Sequence, residues 1–172
     1  SDDKFSKEGY MVHCCSNAIA YEKASIVRGE SLVRLELLFI QLASELGILK
    51  TIMLGMLMCS KPNANPFLMT VEQLKHFALQ AHGMHGRKVA LRALKYIKEG
   101  CRSPQEAIIF MMLNNPYALG GFNLGYAVFD HLVVLPRKYE AHINEASYNL
   151  DIYYPSKKLD VEYQGAFHKD KT

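Results

Sequence analysis

The acidic residues with the most informative spacing in this sequence lie near its C-terminus. Two runs of alternating apolar and polar residues flank the tetrapeptide Pro155-Ser-Lys-Lys158 there, a pattern that predicts a β-hairpin. If Tyr154 pairs with Leu159 across the turn, Asp151 falls opposite Glu162 on the polar face. Opposed residues of antiparallel strands have Cβ atoms ~5 Å apart, so the sequence predicts two neighbouring carboxylates.

Two carboxylates at that separation repel each other unless a cation lies between them. Mg²⁺ suits this arrangement because it takes one or two carboxylates and fills its remaining positions with water and phosphate oxygens. A bound ion of this kind polarises a phosphodiester and helps to generate hydroxide. We therefore predict that Asp151 and Glu162 bind Mg²⁺ or Mn²⁺. The alternative is a solvated sheet face that has no site.

The hairpin also resembles a known family. The sequence Leu150-Asp-Ile-Tyr-Tyr-Pro-Ser-Lys-Lys-Leu-Asp-Val-Glu-Tyr-Gln-Gly-Ala-Phe-His168 is similar to the core of a bacterial family related to very-short-patch repair endonucleases, within the PD-(D/E)XK nuclease superfamily. The helix start Ser103-Pro-Gln-Glu106 and a Leu-Gly-Gly loop extend the resemblance over about Cys101 to His168. The stretch from Leu35 to Gly47 is similar to the antitoxin-type regulators of abortive-infection systems.

The resemblance implies a role for five residues. Asp151 and Glu162 match the metal-binding carboxylates, Glu106 matches the helix acid that often completes such sites, and His168 matches a trailing histidine. Gln164 stands where the superfamily usually has lysine, and an amide can hold a water but carries no positive charge. Two of these residues also have a structural interpretation. Glu106 fits a helix capping box, and Gln164 fits an ordinary hairpin surface.

The sequence ends eight residues after Gln164, where the resemblance implies a further strand and helix. We therefore expect a fragment or a degenerate nuclease core that cleaves DNA weakly or not at all. A stripe of Lys88, Arg92 and Lys95 on one predicted helix face is a candidate for contacts to DNA phosphates, although such stripes are usually only solvated. The histidines His76, His82 and His85 are predicted to be surface residues rather than metal ligands.

We predict an α+β fold that positions the candidate site residues. It consists of a helical region over residues 1–100 and a restriction-endonuclease-like core over residues 101–172, which is incomplete at its C-terminus. Gly100 marks the boundary. The predicted elements are a β-like run at Tyr10–Cys15, helices at Val33–Gly47, Ile48–Cys59, Val71–Ala81, Lys88–Glu99 and from Ser103 to Asn114, and a strand at Tyr126–Leu135.

Composition bounds the functional classes. Apolar residues make up 49% of the 172 residues and charged residues 22%, which is typical of a globular protein with a core. The net charge of +3 permits a local basic patch and no more. The four cysteines lack zinc-site spacing, which favours a reducing cytoplasm. The longest apolar run, Ile48–Cys59, is shorter than the ~20 residues of a membrane span, and the polar stretch Ser1–Lys7 predicts no signal peptide.

The function predicted best from the sequence is metal-dependent hydrolysis of DNA phosphodiesters. The first alternative is a catalytically inactive, DNA-binding, antitoxin-like regulator that keeps the nuclease fold. A third possibility is a helical interaction module whose hairpin is structural. DNA is the expected partner, no membrane is expected, and a protein partner or a homodimer is left open.

Overall fold

The computed structural model describes residues 25–27, 30–61, 68–136 and 147–164, so the predictions for Tyr10–Cys15 and His168 fall outside it. The fold is α+β, as predicted. Its described elements are β1 (Ser25–Val27), β2 (Glu30–Leu32), α1 (Leu35–Met58), α2 (Val71–Gln80), α3 (Arg87–Ala93), α4 (Pro104–Asn114), a 3₁₀ turn (Tyr117–Leu119), β3 (Val128–Val134), β4 (Ser147–Tyr154) and β5 (Leu159–Val161).

Helix α1 is two helical halves joined at Gly47, whose φ of 70° and ψ of 176° interrupt the helix. This confirms the predicted break. The apolar residues that recur at the spacing of one helix face include Leu35, Leu38 and Phe39, but of these three only Phe39 is buried. The side chains that are buried in the first half are Leu37, Phe39, Ile40 and Ala43. The helix is apolar on more than one side, so its spacing alone does not single out the face that packs.

Helix α1 is also long and apolar enough to cross a membrane, with an 18-residue stretch of mean hydropathy 1.7. The prediction considered only the shorter run Ile48–Cys59 and so missed this property. It concerns length and composition alone, and core helices of soluble proteins share it. In this structure α1 packs against α2, α3 and α4.

The predicted starts of α2 and α4 are confirmed. Thr70 caps α2 with a capping box, in which its hydroxyl accepts the Gln73 N–H and the Gln73 side chain accepts the Thr70 N–H. Ser103 caps α4, and Pro104 occupies the first turn. These local signals were readable because each satisfies backbone donors that the helix itself leaves unpaired.

Helix α3 is shorter than predicted. It ends at Ala93 instead of reaching Glu99, and tighter bonds follow it, from Lys95 N–H to the Arg92 oxygen and from Tyr96 N–H to the Ala93 oxygen. Bonds to the third preceding residue are common where a helix finishes. Lys88 and Arg92 thus lie exposed on α3, whereas Lys95 is exposed just beyond it.

The larger sheet has the order β3-β4-β5 and is antiparallel throughout. One face joins the core, with Ile152 and Tyr154 almost fully buried. The Tyr154 hydroxyl accepts a hydrogen bond from Asn114 Nδ2 at 2.9 Å. The Phe110 ring of α4 contacts Phe129 of β3, with centroids 4.8 Å apart. Helix α4 thus contacts the sheet through these side chains and also packs against α1.

The close approach of α1 and α3 depends on Gly86, which has a φ of 81°. A Cβ there would lie 2.0 Å from the backbone oxygen of Ile40, whereas nothing lies within 4 Å of a Cβ built on Gly83, which has a similar φ of 75°. The two glycines of this loop therefore form a matched pair: both carry the left-handed conformation, but only Gly86 also has a close backbone neighbour.

We expect Gly83→Ala to lower the free energy of unfolding by about 1–2 kcal/mol, the usual cost of the left-handed conformation for an L-residue. Gly86→Ala should cost about 3 kcal/mol or more, because overpacking of about 1–3 kcal/mol is added. Urea denaturation of both variants measures the difference. Equal losses in the two variants would contradict the close α1–α3 packing.

Candidate metal centre

The predicted hairpin register is confirmed. Tyr154 pairs with Leu159 and Ile152 with Val161, so the next position places Asp151 beside Glu162. Strand β5 ends at Val161. Beyond it, hydrogen bonds from backbone N–H groups to carboxylate side chains join the two segments. The Asp151 N–H donates to Glu162 Oε1 at 3.3 Å, and the Tyr163 N–H donates to Asp151 Oδ2 at 2.9 Å.

Negative charge accumulates at this end of the hairpin. Glu162 remains solvent-exposed overall, yet partial burial of its carboxyl group, followed by its hydrogen bond and charge interaction with Asp160, raises its pKa. Asp160 carries a buried oxygen, Oδ1, that has no hydrogen-bond partner. Alternation places Asp160 and Glu162 on one face, so neighbouring carboxyl groups share the space beside Asp151.

Glu106 is a further carboxyl group near this cluster. It is only 7% exposed, Oε2 accepts the Arg102 N–H at 2.9 Å, and Oε1 accepts the Ser103 hydroxyl at 2.9 Å. The helix-capping role is thus real, although these bonds replace the usual one to the Ser103 N–H. Burial raises the pKa of Glu106, and the nearby charge of Asp151 adds to the effect. The structural and functional interpretations of Glu106 are therefore compatible.

Asp130 is a site residue that the sequence analysis missed. It lies within β3 with a φ of 52°, and the β3–β4 register on either side of it places it opposite Asp151. Its carboxylate forms ion pairs with Arg102 and, at 3.8 Å, with Lys61. The sequence signal that could have identified it is an aspartate within the mainly apolar strand Val128–Val134, since aspartate is disfavoured in strands.

The other predicted site residues have varied positions. Gln164 is exposed just beyond β5, two residues after Glu162. The basic stripe of Lys88, Arg92 and Lys95 is exposed on and after α3, a helix that packs against α1 and α2. The histidines that were predicted to be surface residues are indeed exposed: His76, His82 and His85.

The donor set at the hairpin suits a hard divalent cation, because it consists of carboxylate oxygens. Within the described parts of the chain, no group of three or more His, Cys, Asp or Glu side chains is arranged so that it could hold a metal ion. A metal bound here would thus be held by Asp151 and Glu162 with water in the remaining positions, as Mg²⁺ commonly is. The unpartnered oxygen of Asp160 fits this setting, since it could accept a hydrogen bond from such a water.

Comparison of the chain with family models, with curated proteins and with solved structures gives no match. The nuclease resemblance therefore depends on the hairpin residues quoted above, and the geometry of the site is the basis for any functional argument.

Proposed function

We propose that the protein is a metal-dependent nuclease that hydrolyses DNA phosphodiester bonds. The observation that carries the proposal is the pairing of Asp151 with Glu162 across the hairpin, where backbone N–H groups fix both carboxylates. Burial, followed by the hydrogen bond and the charge of Asp160, raises the pKa of Glu162, and a cation at this place would offset the repulsion between the carboxylates of Glu162 and Asp160. Perturbed carboxyl groups of this kind cluster at functional sites.

In this proposal Asp151 and Glu162 hold Mg²⁺ or Mn²⁺, which supplies charge to polarise the phosphodiester and to lower the pKa of a bound water. Gln164 lies two residues after Glu162 and would orient a water through its amide. Glu106 adds a buried carboxyl group beside Asp151. His168 is assigned to the phosphate by the family resemblance alone.

The substrate class follows from the same resemblance and from the exposed cations. Lys88, Arg92 and Lys95 are available to DNA phosphates because all three are exposed. Contacts to phosphates give affinity that falls steeply with salt and carries little sequence information. The cytoplasm is the proposed location, on the basis of the cysteine pattern.

A second candidate is a catalytically inactive DNA-binding regulator that retains the fold. Gln164 favours it, since this position usually carries a lysine in the superfamily that the hairpin resembles. Loss of that positive charge would remove stabilisation of the developing phosphate charge, an effect worth several kcal/mol in a dry site. Binding of DNA would survive such a loss.

A plasmid-nicking assay with Mn²⁺ distinguishes the two candidates. We expect slow, metal-dependent nicking that is abolished in Glu162→Gln, a variant of almost unchanged shape that lacks the negative charge. Chelation by EDTA should stop the reaction equally. Nicking that persists at the same rate in Glu162→Gln would assign the activity to a contaminant, and DNA binding without any nicking would support the inactive regulator.

A further inference from the structure

A cleft of about 470 Å³ lies against β3, the strand that pairs with the acidic hairpin, and its charged side chains do not belong to the proposed metal centre. Lys61, Lys98 and Asp130 contribute to its walls, together with Gly100 at the end of the connection from α3. Glu99 also lines it, but one of its oxygens accepts the Val71 N–H at the start of α2, where the helix dipole favours negative charge.

Two cations of this region converge on one carboxylate. Asp130 Oδ1 pairs with the Arg102 guanidinium, and Asp130 Oδ2 lies 3.8 Å from Lys61 Nζ. The cationic side chains keep 37% and 39% of their surface exposed, whereas Asp130 keeps only 16%. These three side chains therefore carry a net positive charge that faces solvent, because the single, partly buried carboxylate balances only one of the two cations.

Backbone contacts hold both cations in position. The Lys61 N–H donates to the Cys101 oxygen at 2.9 Å, which links the end of α1 to the segment before α4. The Arg102 N–H donates to Glu106 Oε2 at 2.9 Å, so the residue that carries the guanidinium also contacts the acidic cluster. Lys98 adds a further positive charge near the cleft, with its Nζ 4.8 Å from the centre of the Tyr126 ring.

From this arrangement we propose that Lys61 and Arg102, bridged by Asp130, form a phosphate-binding subsite for a phosphodiester backbone next to the carboxylate pair. Asp130 pre-positions the two cations in the absence of ligand, at the cost of the left-handed conformation that aspartate tolerates better than most residues. The exposed N–H groups of Lys61 and Arg102 would then donate hydrogen bonds to phosphate oxygens. The Arg102 guanidinium suits this role because its planar fork matches phosphate geometry.

The subsite rests on the proposed nuclease function for the identity of its ligand, but its binding role does not require metal. It would also place positive charge near a hairpin that has glutamine where the resemblance implies lysine. Arg102 and Lys61 therefore supply the site with cations from outside the hairpin. No local sequence pattern indicates this grouping, because Lys61, Arg102 and Asp130 lie tens of positions apart in the chain.

The test is fluorescence anisotropy of a short labelled DNA duplex in EDTA, across about 50–200 mM salt, a range that resolves phosphate contacts. We expect Lys61→Gln/Arg102→Gln to weaken binding about tenfold at low salt and to reduce the slope of log affinity against log salt by about 1–2, since each phosphate contact contributes ~0.9. The matched comparison is Lys88→Gln/Arg92→Gln, which removes one lysine and one arginine from α3.

The charge-conserving variant Lys61→Arg/Arg102→Lys keeps one guanidinium and one ammonium group in the subsite. It should retain affinity within about twofold, because a non-specific phosphate contact depends mainly on charge. An unchanged affinity and slope in Lys61→Gln/Arg102→Gln would overturn the subsite, whatever the α3 variant does. An equal loss in the charge-conserving variant would also overturn it, because the effect would then be structural. Failure of the proposed nuclease function would be seen separately in the nicking assay. Plasmid nicking would then depend neither on Mn²⁺ nor on Glu162, while DNA binding in EDTA would stay intact.

Discussion

Replacement of Asp151 by asparagine is expected to weaken Mn²⁺ binding by more than about 100-fold, since loss of even an outer-shell partner of a metal ligand costs about 10–100-fold. The substitution keeps the shape of the side chain and the position of its oxygen that accepts the Tyr163 N–H, so the hairpin should stay folded. Isothermal titration calorimetry on the two proteins measures the difference. The matched control is Asn149→Asp, which adds a carboxylate two residues away on the same strand.

The pH dependence of this binding gives an independent check. A proton and a metal compete for Glu162, whose pKa is raised by burial and by Asp160. The deprotonated form that binds metal is therefore lost on acidification at a higher pH than for an ordinary glutamate with a pKa of 4.5. Asp160→Asn should move this loss to lower pH. Whatever the pH, equal Mn²⁺ affinity in the wild-type protein and in Asp151→Asn would refute the metal centre.

The second large effect is expected from Gln164→Lys. If the position corresponds to the superfamily lysine, the substitution restores a positive charge two residues after Glu162, on the same face of the hairpin. We expect Mn²⁺-dependent plasmid nicking to accelerate about 10²-fold, the scale found when a single charge-stabilising donor is removed from other active sites. Single-turnover rates at saturating metal measure it.

A lysine at the neighbouring position provides the control for this experiment. Tyr163→Lys adds the same charge one residue away, where alternation directs the side chain to the opposite face. It should leave the nicking rate close to that of the wild-type protein. Equal acceleration in Tyr163→Lys would mean that the added charge acts only through general attraction of DNA. Fast nicking by the wild-type protein that Glu162→Gln abolishes would show that Gln164 already suffices.

The hairpin and the helix starts could be predicted from the sequence because local rules determine them. The turn between Tyr154 and Leu159 fixes the register, and Ser103 shows its capping role within one turn of chain. The position of Asp130 could not be predicted in this way. Its φ is left-handed, and its carboxylate pairs with Lys61 and Arg102, which are distant in sequence and come close only through tertiary packing.

The buried face of α1 and the end of α3 could not be predicted from the sequence. The apolar surface of α1 exceeds what its neighbours cover, so periodicity did not identify which side chains, such as Leu37, would be buried. The end of α3 at Ala93 also could not be predicted from propensity. Good helix-forming residues continue beyond it, and tertiary contacts override propensity. Burial of Glu106 beside Asp151 depends on the packing of α4 against the sheet, which no local pattern encodes.

Helix α4 is fastened to the sheet near both of its ends, and this limits where the protein can open. Near its start, Arg102 joins Asp130 of β3, and at its end Asn114 joins the hydroxyl of Tyr154. Helix and strands would consequently fluctuate as one body. Beyond Val161, by contrast, ladder pairing has stopped, and segments with few backbone bonds open at the lowest free energy. In the proposed nuclease, entry of DNA would therefore depend on movement of the strand end that carries Glu162, while Asp151 on β4 and Glu106 on α4 keep their positions.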